Sequence, residues 1–170
     1  MTFKTILITS FLTMFANNAL ANEQIITPSP AVLHATSTET IAISLNYTNN
    51  RGSRLTGLGL RVHYDSSKLS FDPNSPILTE SLQPISSPQD DREDFDSDPS
   101  TDKYIILAWV DINGNWPNAD FPANLGELIF TLNDHFSGST WVRFSSSSSA
   151  AGFSFTSKSA QIQSAESNNW

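Results

Sequence analysis

The sequence has 170 residues, of which 17 are acidic, nine are basic, three are histidine and none is cysteine, so that the formal charge is −8 at pH 7. Disulfides, thiol catalysis and cysteine-ligated metals are therefore excluded, and the fold must be stabilised by packing. The negative charge argues against nucleic acid and anionic membranes, because both select basic surfaces. A cation, a neutral sugar or a protein remains possible as a ligand.

Residues 1–21 have the pattern of a secretory signal peptide. Lys4 precedes an apolar run at 6–16, and Ala-Leu-Ala at 19–21 matches a small-x-small cleavage site. The run is too short to cross a bilayer, and no other segment reaches the roughly 20 apolar residues that a spanning helix needs. We therefore expect a secreted protein, extracellular or periplasmic, without membrane insertion.

The chain after the signal contains short stretches in which apolar and polar residues alternate, as in half-buried β-strands. Residues 22–30 are predicted as an N-terminal arm or edge strand, and residues 164–170 as a C-terminal tail. Between them the alternation predicts strands at 31–34, 41–47, 58–64, 69–71, 103–110, 125–132, 140–144 and 160–163. Clusters of Gly, Pro, Asn, Asp and Ser separate these stretches, and no helical spacing occurs. The pattern predicts one all-β domain at 31–163, an antiparallel β-sandwich or barrel.

The stretch 58–64 is the clearest strand, because Leu58, Leu60, Val62 and Tyr64 all fall on one side of an extended backbone. Arg61 and His63 fall on the opposite side, where we expect His63 to face solvent. The stretch 103–110 is apolar on both sides and is therefore predicted to be central.

Residues 72–102 form a long loop that contains five prolines and ends in an acidic run. Loops of this length in a compact domain are commonly functional or disordered. A short strand near Ile77 is the only regular structure expected there.

The acidic run contains the strongest candidate for a metal site. Asp94, Asp96 and Asp98 have a spacing that can direct carboxylates at one hard cation, and Asp102 adds a fourth oxygen ligand. We predict a structural calcium site at these four residues. The match to an EF-hand fails, since Pro99 takes the place of the turn glycine. The alternative is a solvated acidic loop.

The turn at 111–118 contains the candidate ligand-binding residues. Trp116 lies beside Asn113, Asn115 and Asn118, so its ring could stack on a sugar while the amides meet hydroxyl groups. Such an aromatic ring can also pack against neighbouring loops. Asp111 with Asn113 and Asn115 is a weaker cation candidate, because ordinary turns have the same composition.

Nothing in the sequence indicates catalysis. The three histidines are scattered, and no nucleophile, base and orienting group occur together in a recognisable motif. The clustered aspartates lack the apolar pocket that raises the pKa of a catalytic acid. We expect a protein that is not an enzyme.

Two parts of the sequence resemble cohesin domains. Residues 57–71 match the string hydrophobic-x-hydrophobic-x-Tyr-Asp-x-x-x-Leu-x-Phe, which joins two strands in such modules. Residues 125–132, with 137–140 and 142–144, are similar to the closing strands. The resemblance extends over about 31–163. It implies a jelly-roll β-sandwich of about eight or nine strands that binds either a dockerin-bearing protein or polysaccharide.

The sequence therefore predicts a secreted, non-catalytic, cohesin-like binding module. Carbohydrate binding through Trp116 is the first hypothesis, and the polysaccharide would be met outside the cell. The alternative is an extracellular protein partner, docked on a sheet face that includes Arg61 and His63.

Overall fold

Eleven strands lie in two sheets in the computed structural model, which describes residues 21–165. The predicted signal peptide, apart from Ala21, and residues 166–170 of the predicted tail lie outside this range. The strands are β1 (Glu23–Ser29), β2 (Val32–Ala35), β3 (Thr40–Asn49), β4 (Gly57–Tyr64), β5 (Leu69–Phe71), β6 (Gln89–Asp90), β7 (Lys103–Val110), β8 (Ala123–Leu132), β9 (Ser139–Ser148), β10 (Ser154–Ser157) and β11 (Ala160–Ser164). Nothing in residues 21–165 forms a helix long and apolar enough to span a membrane.

The two sheets have five and six strands. Their orders are β10-β1-β3-β8-β5 and β2-β11-β9-β4-β7-β6. Neighbouring strands are antiparallel except for the pairs β1 with β10 and β2 with β11, which are parallel. The predicted all-β sandwich is confirmed, with more strands than expected because the short strands β6 and β10 are added to the predicted ones.

The core lies between the sheets and is formed by the alternate residues of each strand that point inward. The five-stranded sheet contributes Ile26, Ile41, Ile43, Leu45, Tyr47, Leu128 and Phe130, and the six-stranded sheet contributes Leu58, Leu60, Val62, Ile105, Leu107 and Val142. Burial of each such side chain stabilises the fold by roughly 1.5–3 kcal/mol. In the absence of cysteine, this packing is the main source of stability.

Strand β4 is buried on both sides. Its inward side chains join the core as predicted, but the prediction that His63 faces solvent is wrong, because His63 is fully buried. Residues 90–102, which we call the acidic segment, cover the outer face of the sheet at this point. Alternation assigned His63 to the correct face of the strand, but it could not show that a distant segment covers that face.

Strand β1 was expected to be an arm or an edge strand, but it lies between β10 and β3 and pairs with both. Its buried Gln24 connects the two sheets. Gln24 Nε2 donates to Tyr47 Oη and to the Gly57 carbonyl, both at 3.0 Å, and Gln24 Oε1 accepts from the Ala150 N–H at 2.7 Å. A buried amide that is satisfied in this way fixes the register of the strands it joins.

The long loop crosses from one sheet to the other. Ile77 forms an isolated bridge with Gly126 on β8, and Leu82 then bridges Trp109 on β7. The two-residue strand β6 continues this pairing with β7. The loop therefore covers the free edge of β7 with backbone hydrogen bonds, which prevents pairing of that edge with another chain. Near Ile77 the structure has a single bridge in place of the short strand that was expected.

The crossing at Gly126 predicts a specific effect on stability. Gly126 has a φ of +108°, and a Cβ there would lie 2.2 Å from the Pro76 carbonyl oxygen. We expect Gly126→Ala to lower the free energy of unfolding by several kcal/mol, because the backbone of the loop must move. Gly138→Ala is the control, with a φ of +74° and open space around the added methyl group. It should cost only about 1–2 kcal/mol. Urea denaturation measures both, and equal losses would contradict this explanation.

Candidate binding face and buried charge cluster

The acidic segment is a closed loop built from successive turns. The Asp91 N–H donates to the Asp102 carbonyl at 2.9 Å, which joins its ends. Within it, the Ser97 N–H donates to the Asp94 carbonyl and the Thr101 N–H donates to the Asp98 carbonyl, both at 3.0 Å. These contacts give the run of aspartates a defined conformation over the outer face of the six-stranded sheet.

Two pairs of side chains attach the segment to the sheet. The Arg143 Nε on β9 donates to Asp98 Oδ2 at 2.5 Å. The Arg61 guanidinium on β4 lies over the Phe95 ring, with its Cζ 4.0 Å from the ring centroid. Arg61 also donates from Nη1 to the Ser146 carbonyl at 2.7 Å. Arg61 and Arg143 therefore hold the segment from two neighbouring strands.

His63 lies beneath the segment and contacts three side chains. Its Nδ1 is 2.6 Å from Asp91 Oδ2 and 4.0 Å from Asp96 Oδ1, while its Nε2 is 2.7 Å from Ser145 Oγ on β9. The side chains of His63, Asp91 and Asp96 are at most 2% exposed. Because these residues are far apart in the sequence, no local motif indicated the cluster. The available signal was a histidine in an otherwise apolar strand, followed by an acidic run.

The carboxyl groups of Asp96 and Asp98 differ in pKa. Burial raises the pKa of Asp96, and the hydrogen bond from Thr101 and the charge of His63 only partly oppose this. Hydrogen bonds from Ser100, with a further contribution from Arg143, hold the pKa of Asp98 below its usual range. Asp98 thus serves as the anionic partner of Arg143, whereas Asp96 is a buried carboxyl group whose charged form is disfavoured.

The four predicted calcium ligands have different partners. Asp94 is exposed, Asp96 lies against His63, and Asp98 pairs with Arg143. Asp102 accepts hydrogen bonds from the backbone N–H and hydroxyl group of Ser66 at 2.6 and 2.7 Å. Of these four, only Asp96 belongs to a group whose ligand atoms converge. The calcium site stays a prediction, and in this conformation its four carboxylates do not meet.

Trp116 was expected at the surface, but it is 1% exposed. Its ring lies 4.6 Å from that of Tyr47 and 5.6 Å from that of Trp109, the latter in a stacked arrangement. A backbone bridge between Leu55 and Trp116 places it there, by joining the turn to the segment before β4. The ring therefore offers no free face to a sugar.

The asparagines of the same turn remain at the surface. Asn113, Asn115 and Asn118 are exposed, while Asp111 accepts the backbone N–H groups of Asn113 and Asn115 at 2.8 and 3.0 Å. The carboxylate of Asp111 thus stabilises the turn. The structure separates these exposed amides from the buried Trp116, with which they were predicted to act.

The contacts of His63 resemble those of a catalytic triad, since Ser145, His63 and Asp91 are linked by distances of 2.7 and 2.6 Å. A nucleophile also needs access to substrate and hydrogen-bond donors for an oxyanion. His63 is fully buried, and neither of the two cavities described below is lined by Ser145. Geometry within the described residues therefore favours a structural role for this serine.

Large exposed hydrophobic side chains lie on or beside one face of the molecule. Val32, Phe95, Val110 and Ile112 are exposed by 47%, 42%, 53% and 89%. Val32 and Val110 point outward from β2 and β7, Phe95 lies on the acidic segment, and Ile112 follows β7. By contrast, the outer face of β3, in the five-stranded sheet, carries Thr40, Ala42, Ser44 and Asn46. Apolar surface is thus concentrated on the outer side of the six-stranded sheet, which we call the binding face.

A cavity of about 430 Å³ opens at one end of the binding face. Its lining includes three small residues, Gly57, Gly59 and Ala108, and two hydrophobic ones, Val110 and Ile112. The two glycines are needed for internal packing, because a Cβ would lie 1.9 Å from the Trp109 carbonyl oxygen at Gly57 and 2.4 Å from Ser147 Oγ at Gly59. Ile112 supplies exposed apolar surface at this cavity. A second cavity, of about 440 Å³, lies against the acidic segment.

Comparison with solved structures shows a cohesin-like β-sandwich. A cohesin from Clostridium acetobutylicum, solved in solution, matches with a TM-score of 0.56 and 12% identity over 86% of this chain and 92% of its own. A chain of a type I cohesin–dockerin complex from Clostridium thermocellum matches with a TM-score of 0.56 and 14% identity, over 85% of the present chain and 99% of its own. The sixth cohesin of scaffoldin B from Acetivibrio cellulolyticus, in complex with a dockerin, matches with a TM-score of 0.54 and 12% identity. This match covers 84% of the present chain and 99% of the cohesin chain. Because the sequence identities are this low, these structural matches establish the fold alone. No protein-family model and no curated protein matches the sequence.

The attachment of the acidic segment can be tested at Arg143. We expect Arg143→Gln to cost about 1 kcal/mol of stability and to speed hydrogen exchange in residues 91–102, because the partly buried pair with Asp98 is lost. Arg92→Gln is the control, since the Arg92 side chain is 83% exposed. It should leave exchange unchanged. Equal exchange in both variants would show that Arg143 does not hold the segment.

A second prediction follows from the position of Trp116. Trp116→Ala should lower the free energy of unfolding by about 3–5 kcal/mol, because it removes a large buried ring between two others. Chemical denaturation monitored by circular dichroism measures this loss. A variant of wild-type stability that had lost only a binding activity would instead support a surface role.

Proposed function

We propose that this protein is an exported, non-catalytic docking module that binds another protein through the binding face. The single observation that carries the proposal is that the four large hydrophobic side chains exposed within residues 21–165 lie on or beside that face. Exposed apolar patches rimmed by polar groups are typical of protein interaction sites. The similar cohesins solved with dockerins support a dockerin-like domain as the partner class.

The binding face also indicates the chemistry of the partner. Ile112 lies beside the cavity of small residues, which suits an apolar anchor side chain from the partner. On the acidic segment, the exposed Glu93 and Asp94 directly precede Phe95. A partner that presents basic side chains next to its apolar anchor would therefore complement this face in both packing and charge.

Carbohydrate binding is the weaker hypothesis. It depended on Trp116 as the stacking platform, and that ring is buried between Tyr47 and Trp109. The exposed asparagines alone lack the flat apolar surface that a pyranose ring needs. Polysaccharide is therefore kept as a comparison ligand in the binding test.

The docking proposal is tested by titrating the mature chain with a panel of type I dockerin domains in a calorimeter. We expect at least one to bind, and Ile112→Asp to weaken that binding at least tenfold, since it places a charge where apolar surface is buried. Ala42→Asp introduces the same side chain on the exposed face of β3, in the five-stranded sheet, and should leave affinity unchanged.

Two results would contradict the proposal. One is that no dockerin in the panel binds while the protein is retained on insoluble polysaccharide. The other is that Ala42→Asp weakens binding as much as Ile112→Asp, which would place the interface on the other sheet or show a general loss of fold.

A further inference from the structure

Three buried ligand groups converge beneath the acidic segment. They are His63 Nδ1, an oxygen of Asp91 and an oxygen of Asp96, and these atoms all lie within 4.8 Å of one another. The three side chains are 0%, 0% and 2% exposed. One comes from β4 and the other two from the acidic segment, so the group forms only when the segment lies on the sheet.

The cluster contains more negative than positive charge. When all three groups are ionised their net charge is −1, and a neutral imidazole makes it −2. The nearby basic side chains have other partners. Arg143 pairs with Asp98, while Lys103 and Arg92 both pair with Asp90. Arg61 lies over the Phe95 ring and donates to the Ser146 carbonyl. A buried carboxylate without a cation is costly, and burial raises the pKa of Asp96 accordingly.

Each group is oriented by a contact on its far side. Ser145 Oγ lies 2.7 Å from His63 Nε2, which leaves Nδ1 directed at the two carboxylates. Asp91 Oδ1 accepts from the Phe95 N–H at 3.3 Å, and Asp96 Oδ2 accepts from Thr101 Oγ1 at 2.8 Å. Asp96 Oδ1 also accepts from the Asp98 N–H at 3.3 Å. Metal ligands in proteins are commonly fixed in this way, through the atom that does not bind the ion.

The spacing is close to what an ion needs. Ligand atoms at roughly 2.0–2.2 Å from a tetrahedral zinc ion are about 3.3–3.6 Å apart. The two separations from His63 Nδ1 are 2.6 Å to Asp91 and 4.0 Å to Asp96, one below and one above that range. Shifts of less than about 1 Å in the two carboxylates would produce the coordination geometry.

We propose that His63, Asp91 and Asp96 bind one divalent transition-metal ion, with Zn²⁺ as the representative. An imidazole nitrogen beside two carboxylates is a donor set that suits such ions, whereas Ca²⁺ and Mg²⁺ prefer oxygen ligands throughout. The ion would neutralise the buried carboxylates and hold the acidic segment on β4. This site shares only Asp96 with the predicted calcium site.

The second cavity lies against one of the three ligands. Its lining includes Asp91 and also Thr101, which donates to Asp96. Asp90, Asp94 and Asp102 line it as well, together with one basic residue, Arg92. An acidic cavity raises the local concentration of cations, here beside Asp91.

The test uses the mature chain after treatment with a chelator. Titration with Zn²⁺ should show one ion per chain, and a hundredfold excess over the dissociation constant should raise the melting temperature by about 5 °C or more. Co²⁺ should bind with a visible absorption band typical of nitrogen and oxygen ligands. At equal concentration, Ca²⁺ and Mg²⁺ should leave the melting temperature unchanged.

Two variants separate the cluster from the rest of the acidic segment. Asp96→Asn should weaken Zn²⁺ binding at least tenfold, because it removes one charged ligand while conserving size. Glu93→Gln changes an exposed carboxylate of the same segment that does not line the second cavity, and this variant should bind Zn²⁺ as the wild type does.

A measurement on the unmodified protein guards against a variant that fails to fold. The chain contains two other histidines, His34 and His135, and both are exposed. In a protein labelled with ¹⁵N-histidine, one equivalent of Zn²⁺ should shift the imidazole signals of His63 and not those of the other two.

The proposal fails if Zn²⁺ does not bind at one ion per chain, or if the signals of His63 do not respond. It also fails if Asp96→Asn, correctly folded, binds as tightly as the wild type. Preferential binding of Ca²⁺ that is lost in Asp94→Asn would overturn it in favour of the calcium site predicted from the sequence.

Discussion

The structure depends on the burial of β4 on both faces. Its inward side chains Leu58, Leu60 and Val62 form the centre of the core, and its outward His63 is covered by the acidic segment. A strand in this position must be paired along both edges and covered on both sides. The neighbouring strands β7 and β9 supply the pairing, and the long loop supplies the outer cover.

The long loop at 72–102 takes part both in the packing of the sheets and in the two proposed sites. Its first part crosses to the edge of β7, and its last part places the acidic segment on the outer face of the six-stranded sheet. The same arrangement buries His63 with Asp91 and Asp96 and exposes Phe95 at the surface. Stability, the proposed docking surface and the proposed metal site thus rely on the conformation of one connection.

The two proposals concern different chemistry and can be tested separately. Docking depends on apolar side chains such as Ile112 at the binding face, where a partner would exclude water. Metal binding depends on ligand groups that are already removed from solvent beneath the segment. A protein could therefore dock a partner without the ion, although an ion at His63 would reduce the mobility of the segment on which Phe95 lies.

The sequence by itself determined the fold class and every strand except the short β6 and β10. Alternation located β3, β4 and β8 and the faces of β4, because side-chain direction in a strand depends only on local geometry, and a run apolar on both sides located β7. The resemblance at residues 57–71 and 125–132 indicated the cohesin-like sandwich. Only the tertiary structure decided what lies over each face. It buried Trp116 and His63 and dispersed the predicted calcium ligands, since these outcomes depend on contacts between segments far apart in the chain. Alternation states which way a side chain points, whereas its exposure depends on which distant segment packs above it.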